Sequence, residues 1–270
     1  MTAGRFEIRG LSAGYLKRTV FSGLDLQPVP AGSLVAVVGA NAAGKSTLLK
    51  SIAGLVPSKG QVLLSGNDLS ALPRQSRLRE VGYLPQSLPQ ASSLVVYESL
   101  LSALRTGRPA MGRAEIELTI ESVLDELGLR ALALRRLDEL SGGQRQMVGL
   151  AQVIARAPPL LLLDEPTSAL DLRWQLMLLQ SVRALISRQG AIALMAVHDL
   201  NLAMRFCDRV VVLGPGGLLA AGTPQEVLTP EVLRRAWGIE ARVERCSLGH
   251  MLVLADRPCG ADETITTGTP

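Results

Sequence analysis

One segment constrains the fold of this 270-residue chain more than any other: Gly39-Ala-Asn-Ala-Ala-Gly44-Lys45-Ser46-Thr47. Ahead of it, Val35-Ala-Val-Val38 is a β-branched apolar run that reads as a buried strand. Behind it, Lys45 to Ala53 reads as a helix, closed by Gly54 and Pro57. A strand that turns through glycines directly into a helix gathers backbone N–H groups and the positive end of the helix dipole around one point, which suits an anion. The segment fits G-x-x-x-x-G-K-[ST], a phosphate-cradling loop. Gly39 and Gly44 permit the tight turn and the close approach, Lys45 reaches the β- and γ-phosphates, and Ser46 ligates Mg²⁺. Asn41, Ala42, Ala43 and Thr47 complete the loop's contacts with a nucleotide.

An acidic pair matches this loop further along. Leu160-Leu-Leu-Leu163 follows Pro158-Pro159 and is apolar throughout, as expected of a central parallel strand covered on both faces. Asp164-Glu165 then falls at the strand's carboxyl end, where open α/β sheets place their ligands. Asp164 is expected to hold Mg²⁺ through water, and Glu165 to polarise the water that attacks the γ-phosphate. Standing alone, the pair would also fit a solvated acidic turn.

The rest of the chain is organised around these two strands. Arg5–Arg9 and Leu34–Val38 read as strands, with turns at Gly10, Gly14 and Pro30–Gly32; Gln61–Leu64 and Val81–Leu84 follow. From about residue 92 the spacing turns helical, with Leu94, Tyr97, Leu100, Leu101 and Leu104, then Ile116, Ile120, Val123, Leu124 and Leu127. Gly107-Arg-Pro109 separates the two helices. Ser141 caps a further helix to about Ala157. A helix after Asp171 reaches about Gln189, then a strand over Ala191–Val197 and a helix from about Asp199 to Phe206. Arg209–Leu213 and Leu218–Ala221 form a hairpin-like pair, residues 224–237 are helical with starts at Pro224 and Pro230, and Glu240–Arg245 with His250–Leu254 make a last pair of strands. The fold class expected is α/β: a phosphate-loop core with a mostly parallel sheet, an N-terminal antiparallel β subdomain, and a helical subdomain inserted at about 92–157. Residues 1–258 are read as one domain, and 259–270 as a polar, mobile tail.

Composition bounds the partners. Aromatic residues make up 3 % of the chain, which argues against a surface that stacks nucleic-acid bases, and the net charge of +4 is modest and scattered. Cys207, Cys246 and Cys259 fit no metal spacing and read as reduced thiols. The N-terminus lacks the apolar core of a signal peptide, and the longest apolar stretches fall short of the roughly 18 residues that span a bilayer. A soluble subunit is expected, one that needs a separate membrane protein for any transport.

Six motifs in a fixed order make the chain resemble the ATP-binding cassette (ABC) ATPases over nearly its whole length: Tyr15, the phosphate loop, Gln86, Leu140–Gln144, Leu160–Glu165 and His198. Read singly, Tyr15 also fits a surface aromatic, Gln86 a loop amide and His198 a strand-end histidine; the ordered set is what is specific. The resemblance implies that Tyr15 stacks on adenine and that Gln86 senses Mg²⁺ and the attacking water while facing the membrane partner. It implies that Ser141, Gly142, Gly143 and Gln144 contact ATP held by an opposite copy, that Asp171 couples the two sites, and that His198 contacts the γ-phosphate and orients Glu165. The family usually carries glycine where this chain has Ala42; if φ is positive there, alanine costs about 1 kcal/mol.

The implied assembly is a homodimer of ATPase subunits on a dimeric integral permease, with a periplasmic substrate-binding protein, at the cytoplasmic face of a bacterial inner membrane. Ser168 to Gln175 and the stretch from Gly222 through Trp237-Gly-Ile239 to Val253 resemble the importer branch for ferric siderophores, haem and cobalamin. An exporter shares the nucleotide motifs but is often fused to a membrane domain. A DNA-repair or translation protein needs a coiled coil, zinc module or second cassette. Another phosphate-loop enzyme, such as a kinase, leaves Leu140–Gln144 and His198 unexplained. The apolar residues Leu88, Leu94, Val95 and Val96 after Gln86 are a candidate docking surface for the permease, with core packing as the equal alternative for each.

Overall fold

The computed structural model of the chain describes residues 5–15, 18–88, 93–168 and 170–260. The tail expected to be mobile therefore lies, from residue 261 onward, outside the described residues.

A hairpin of β1 (Arg5–Tyr15) and β2 (Arg18–Pro30) opens the chain, and β3 (Leu34–Gly39) passes through the phosphate loop into α1 (Lys45–Ile52). β4 (Ser58–Leu64) and β5 (Asn67–Asp68) return to the hairpin, and α2 (Arg74–Glu80) leads into β6 (Val81–Leu84). Three helices follow, α3 (Val96–Gly107), α4 (Arg113–Glu126) and α5 (Gly142–Ala155). Strands and helices then alternate through β7 (Leu160–Asp164), α6 (Leu172–Gln189), β8 (Ile192–Ala196), α7 (Leu200–Phe206) and β9 (Arg209–Gly214). β10 (Gly217–Gly222) turns back, and α8 (Pro224–Val227) and α9 (Pro230–Trp237) lead to the hairpin of β11 (Ile239–Arg245) and β12 (Met251–Pro258).

The main sheet has the order β10-β9-β3-β8-β7-β6, parallel except for β10 at its edge. Both faces are covered, so β3, β7 and β8 are buried at every position. Val35, Val37, Leu160 and Leu162 pack with α1 and with the antiparallel sheet β2-β1-β4-β5. Leu34, Ala36, Val38, Leu161 and Leu163 pack with α5, α6 and, beyond them, the inserted helices. The phosphate loop and Asp164 leave the carboxyl ends of β3 and β7, two parallel strands separated only by β8. An α-helical insertion beside a mostly parallel sheet and an N-terminal antiparallel sheet is the expected architecture.

Several local expectations change. β1 runs on through Gly10 and Gly14, which mark breaks in register with β2 rather than turns. Gly10 has φ 59, and a Cβ on Gly14 would sit 2.2 Å from Arg18 O. β2 is longer than any strand read before Leu34, because its buried residues Phe21, Leu24, Leu26 and Val29 break strict alternation where the register shifts. α2, with only Leu78 as an apolar residue, has no hydrophobic period to read. The expectation for residues 224–237 holds: they form two helices, each starting at its proline. Val96 is wholly buried in the main core and is not part of a docking surface, whereas Leu94 is 44 % exposed.

Candidate functional site

The strand-to-helix turn around the phosphate loop depends on its glycines. Gly39 has φ 155 and a Cβ there would lie 2.5 Å from Leu213 O, while Gly44 has φ 99 and a Cβ would lie 2.7 Å from Val20 Cγ1. Ala42 adopts φ 62, so this alanine does occupy a left-handed position that favours glycine. No side chain caps α1, which leaves its first N–H groups to a ligand. Lys45 is buried and donates from Nζ to Gly39 O (3.0 Å) and Ala40 O (3.3 Å). Desolvation lowers its pKa from the ordinary lysine value, and Glu165 and Asp164 oppose that shift.

The strand ends bring the acidic residues to the loop. Ser46 Oγ donates to Asp164 Oδ1 at 2.7 Å across a sequence separation of 118 residues. Tyr83 Oη donates to the other oxygen, Oδ2, at 3.0 Å, so both oxygens of this buried carboxylate have partners. Burial, and then the adjacent Asp164 charge, hold the Tyr83 phenol well above the usual tyrosine range, so it remains a donor. Glu165 takes φ 50, a strained value for a non-glycine residue, directly after β7. Its Oε2 accepts from Gln86 Nε2 at 2.6 Å and its Oε1 lies 2.6 Å from His198 Nε2. The Glu165 side chain is only 11 % exposed and His198 is 48 % exposed, so the carboxylate sits beneath the imidazole at the cleft.

Tyr15, Asn41 to Thr47, Gln86, Glu165 and His198 all line one cleft of about 530 Å³. Arg18, Thr19 and Val20 at the start of β2 line it too, and with Tyr83 they are the site residues that motif reading missed. Arg18 carried a legible signal, a cation three residues after Tyr15; Tyr83 carried none, since its partner is 81 residues away. Ser141, Gly142, Gly143, Gln144 and Asp171 do not line the cleft. Ser141 instead caps α5 in a reciprocal box with Gln144, and Asp171 caps α6 by accepting from Trp174 N–H.

The candidate ligands are the Ser46 hydroxyl and the Asp164 carboxylate it donates to, with the Gln86 amide beside Glu165, all offering hard oxygens, and no cluster of three or more His, Cys, Asp or Glu occurs among the described residues. That set fits Mg²⁺ held largely by phosphate and water rather than an all-protein metal cage.

The fold is that of a phosphate-loop nucleotide-binding domain. The ABC transporter family matches residues 23–168. The hemin import ATP-binding protein HmuV of Pseudomonas entomophila is 42 % identical over 257 residues, 92 % of this chain and 98 % of that protein. The cobalamin import ATP-binding protein BtuD of Halobacterium salinarum is 38 % identical over 213 residues, 78 % of this chain and 53 % of that protein. Among solved structures, a dimeric ATP-binding cassette in a post-hydrolysis state with ADP and phosphate superposes with TM-score 0.72 at 25 % identity, covering 81 % of this chain and 98 % of that one. The chain belongs to the ABC transporter family.

Proposed function

We propose that the chain binds Mg-ATP in this cleft and hydrolyses it as the energising subunit of a membrane importer for haem or a related iron complex, with cobalamin the alternative cargo. The observation that carries the hydrolytic reading is Glu165, held between Gln86 and His198 at the rim of the phosphate loop. The cargo reading draws on the HmuV and BtuD relatives.

Each residue has a task in the reaction. Tyr15 stacks on the base, the loop N–H groups and Lys45 cradle the phosphates, and Arg18 adds positive charge at the cleft edge. Ser46 and Asp164 would hold Mg²⁺, which would supply positive charge to offset that of the phosphates. Glu165 accepts a proton from the attacking water, and Gln86 and His198 keep its carboxylate aimed at the γ-phosphate. Ser141 and its helix start do not line this cleft, and in this reading, following what the family resemblance implies, they serve a second copy: two copies pair head to tail with ATP between Lys45 of one and Ser141 of the other. That a structural relative with ADP and phosphate is dimeric supports the pairing of two copies.

Among the described residues, no helix is long and apolar enough to cross a membrane. An apolar groove of about 530 Å³, lined by Leu78, Leu88, Leu94 and Val148 with Arg145 and Arg156, supports docking of a cytoplasmic permease helix. α3 and α5 both line it, and α5 is the helix that Ser141 caps, which offers a route by which dimer closure would reach the permease. This assembly sits at the cytoplasmic face of the membrane, with a periplasmic binding protein delivering cargo.

Glu165→Gln tests the mechanism. It should bind Mg-ATP normally and lose roughly 100-fold or more in turnover, accumulating a closed homodimer by size-exclusion chromatography. Near-normal turnover would remove Glu165 from the role of base. Uptake of radiolabelled haem and cobalamin by cells lacking this gene, with and without a plasmid copy, separates the cargoes; restoration of neither sinks the cargo reading.

A further inference from the structure

The hairpin β11–β12 lies beyond the segment that the family match covers, and it forms a small sheet of its own. Its two buried residues, Ala241 and Val253, join the main core beside α7. The outer edge of β12 is not left open at that point. Asn201 Oδ1 accepts from Val253 N–H at 2.7 Å, and Asn201 Nδ2 donates to Val253 C=O at 3.2 Å. The amide thus pairs with β12 as a single residue of a third strand would, using both polar groups that Val253 turns away from β11.

Asn201 lies in the first turn of α7, and its own N–H, with that of Leu202, is capped by Asp199 Oδ1 at 2.8 and 3.1 Å. Asp199 follows His198 directly, and His198 Nε2 is 2.6 Å from Glu165 Oε1. With seven residues, α7 is too short to be stable by its own hydrogen bonds, so its direction is set by what it packs on. A side-chain amide bonded to both groups of one strand residue fixes the first turn in position along the strand and in rotation, which a single bond or an apolar contact does not.

We propose that Asn201 is a positioning residue for His198, through which the C-terminal hairpin sets where the imidazole meets Glu165 and the γ-phosphate. The proposal rests on the role given to His198 above. It makes the hairpin a part of the hydrolytic apparatus: whatever shifts β12 shifts α7 and, with it, the imidazole. Displacement of a catalytic group by about 1 Å costs up to about 100-fold in rate.

The test uses the full chain and compares kcat and KM for ATP in the wild type, Asn201→Ala, His198→Ala and the double variant, with thermal midpoints for each. Asn201→Ala should lower kcat about tenfold with KM changed by less than about twofold, and it should add nothing in the His198→Ala background. Val253→Pro removes the same N–H from the hairpin side, leaves the β11 ladder intact, and should reproduce the pattern. Equal losses from Asn201→Ala with and without His198, or a lower thermal midpoint with unchanged kcat per nucleotide-binding subunit, would overturn the proposal and leave the site reading standing. A His198→Ala variant with wild-type kcat would sink the site reading, and the proposal with it.

Discussion

Ala42→Gly isolates the one place where this chain departs from its family's usual phosphate loop. Ala42 holds φ 62, where the Cβ of an L-residue crowds the following carbonyl at a cost of about 1–2 kcal/mol. Glycine removes that cost but loses about 0.5–1 kcal/mol more conformational freedom on folding. The net gain is therefore about 0.5–1 kcal/mol in stability, a rise of roughly 1–4 °C in Tm for a domain of this size. The cost depends on the residue's own backbone angle, so it is expected to act on folding rather than on binding. ATP affinity should change by less than about twofold, well under the 1.4 kcal/mol that a tenfold change requires. Differential scanning fluorimetry without nucleotide reads the first quantity and titration with a fluorescent ATP analogue the second. Ser65→Gly is the control: Ser65 has φ 52 in the turn between β4 and β5, outside the cleft, and should show a similar rise in Tm with unchanged hydrolysis. A fall in Tm for Ala42→Gly would refute the strain argument. A tenfold tighter ATP affinity would show that the left-handed conformation is imposed on binding instead.

Tyr83→Phe should leave Asp164 Oδ2 buried without its donor, at a cost of about 1–3 kcal/mol, and should raise the Mg²⁺ concentration needed for half-maximal hydrolysis. Nucleotide affinity in EDTA should stay constant, and an unchanged Mg²⁺ dependence would sink the idea. Leu94→Lys should weaken permease binding about tenfold or more by burying an unpaired charge beside Arg145 and Arg156, while ATP affinity of the free subunit stays intact. Full transport with Leu94→Lys would move the docking surface elsewhere; Val96→Lys, by contrast, should unfold the core.

What the sequence by itself determined here is the set of features whose cause lies within one turn of the chain. The phosphate loop sits between strand and helix as read, Ser141 and Asp171 cap the helices they precede, and Pro224 and Pro230 start theirs. The long helix Leu172–Gln189 ends at Gly190 in the left-handed conformation, a stop signal local to the chain. The cost expected at Ala42 was equally local, since it depends only on that residue's own φ. Tertiary structure alone decided which strands lie side by side, and with that which distant side chains meet. Gln86 and His198 reach Glu165 because β6 and β8 flank β7, and Tyr83 meets Asp164 across the same ladder. Val96 and Leu94 read alike in sequence yet end buried and exposed, because Val96 opens α3, which packs on the core, while Leu94 lies in the segment before it. The tie from Asn201 to Val253 is of the same kind, a pairing across 52 residues that no local spacing encodes. Helix caps and left-handed turns are set by short-range sterics and hydrogen bonds, whereas strand order is set by burial of both faces of the sheet, a property of the whole chain.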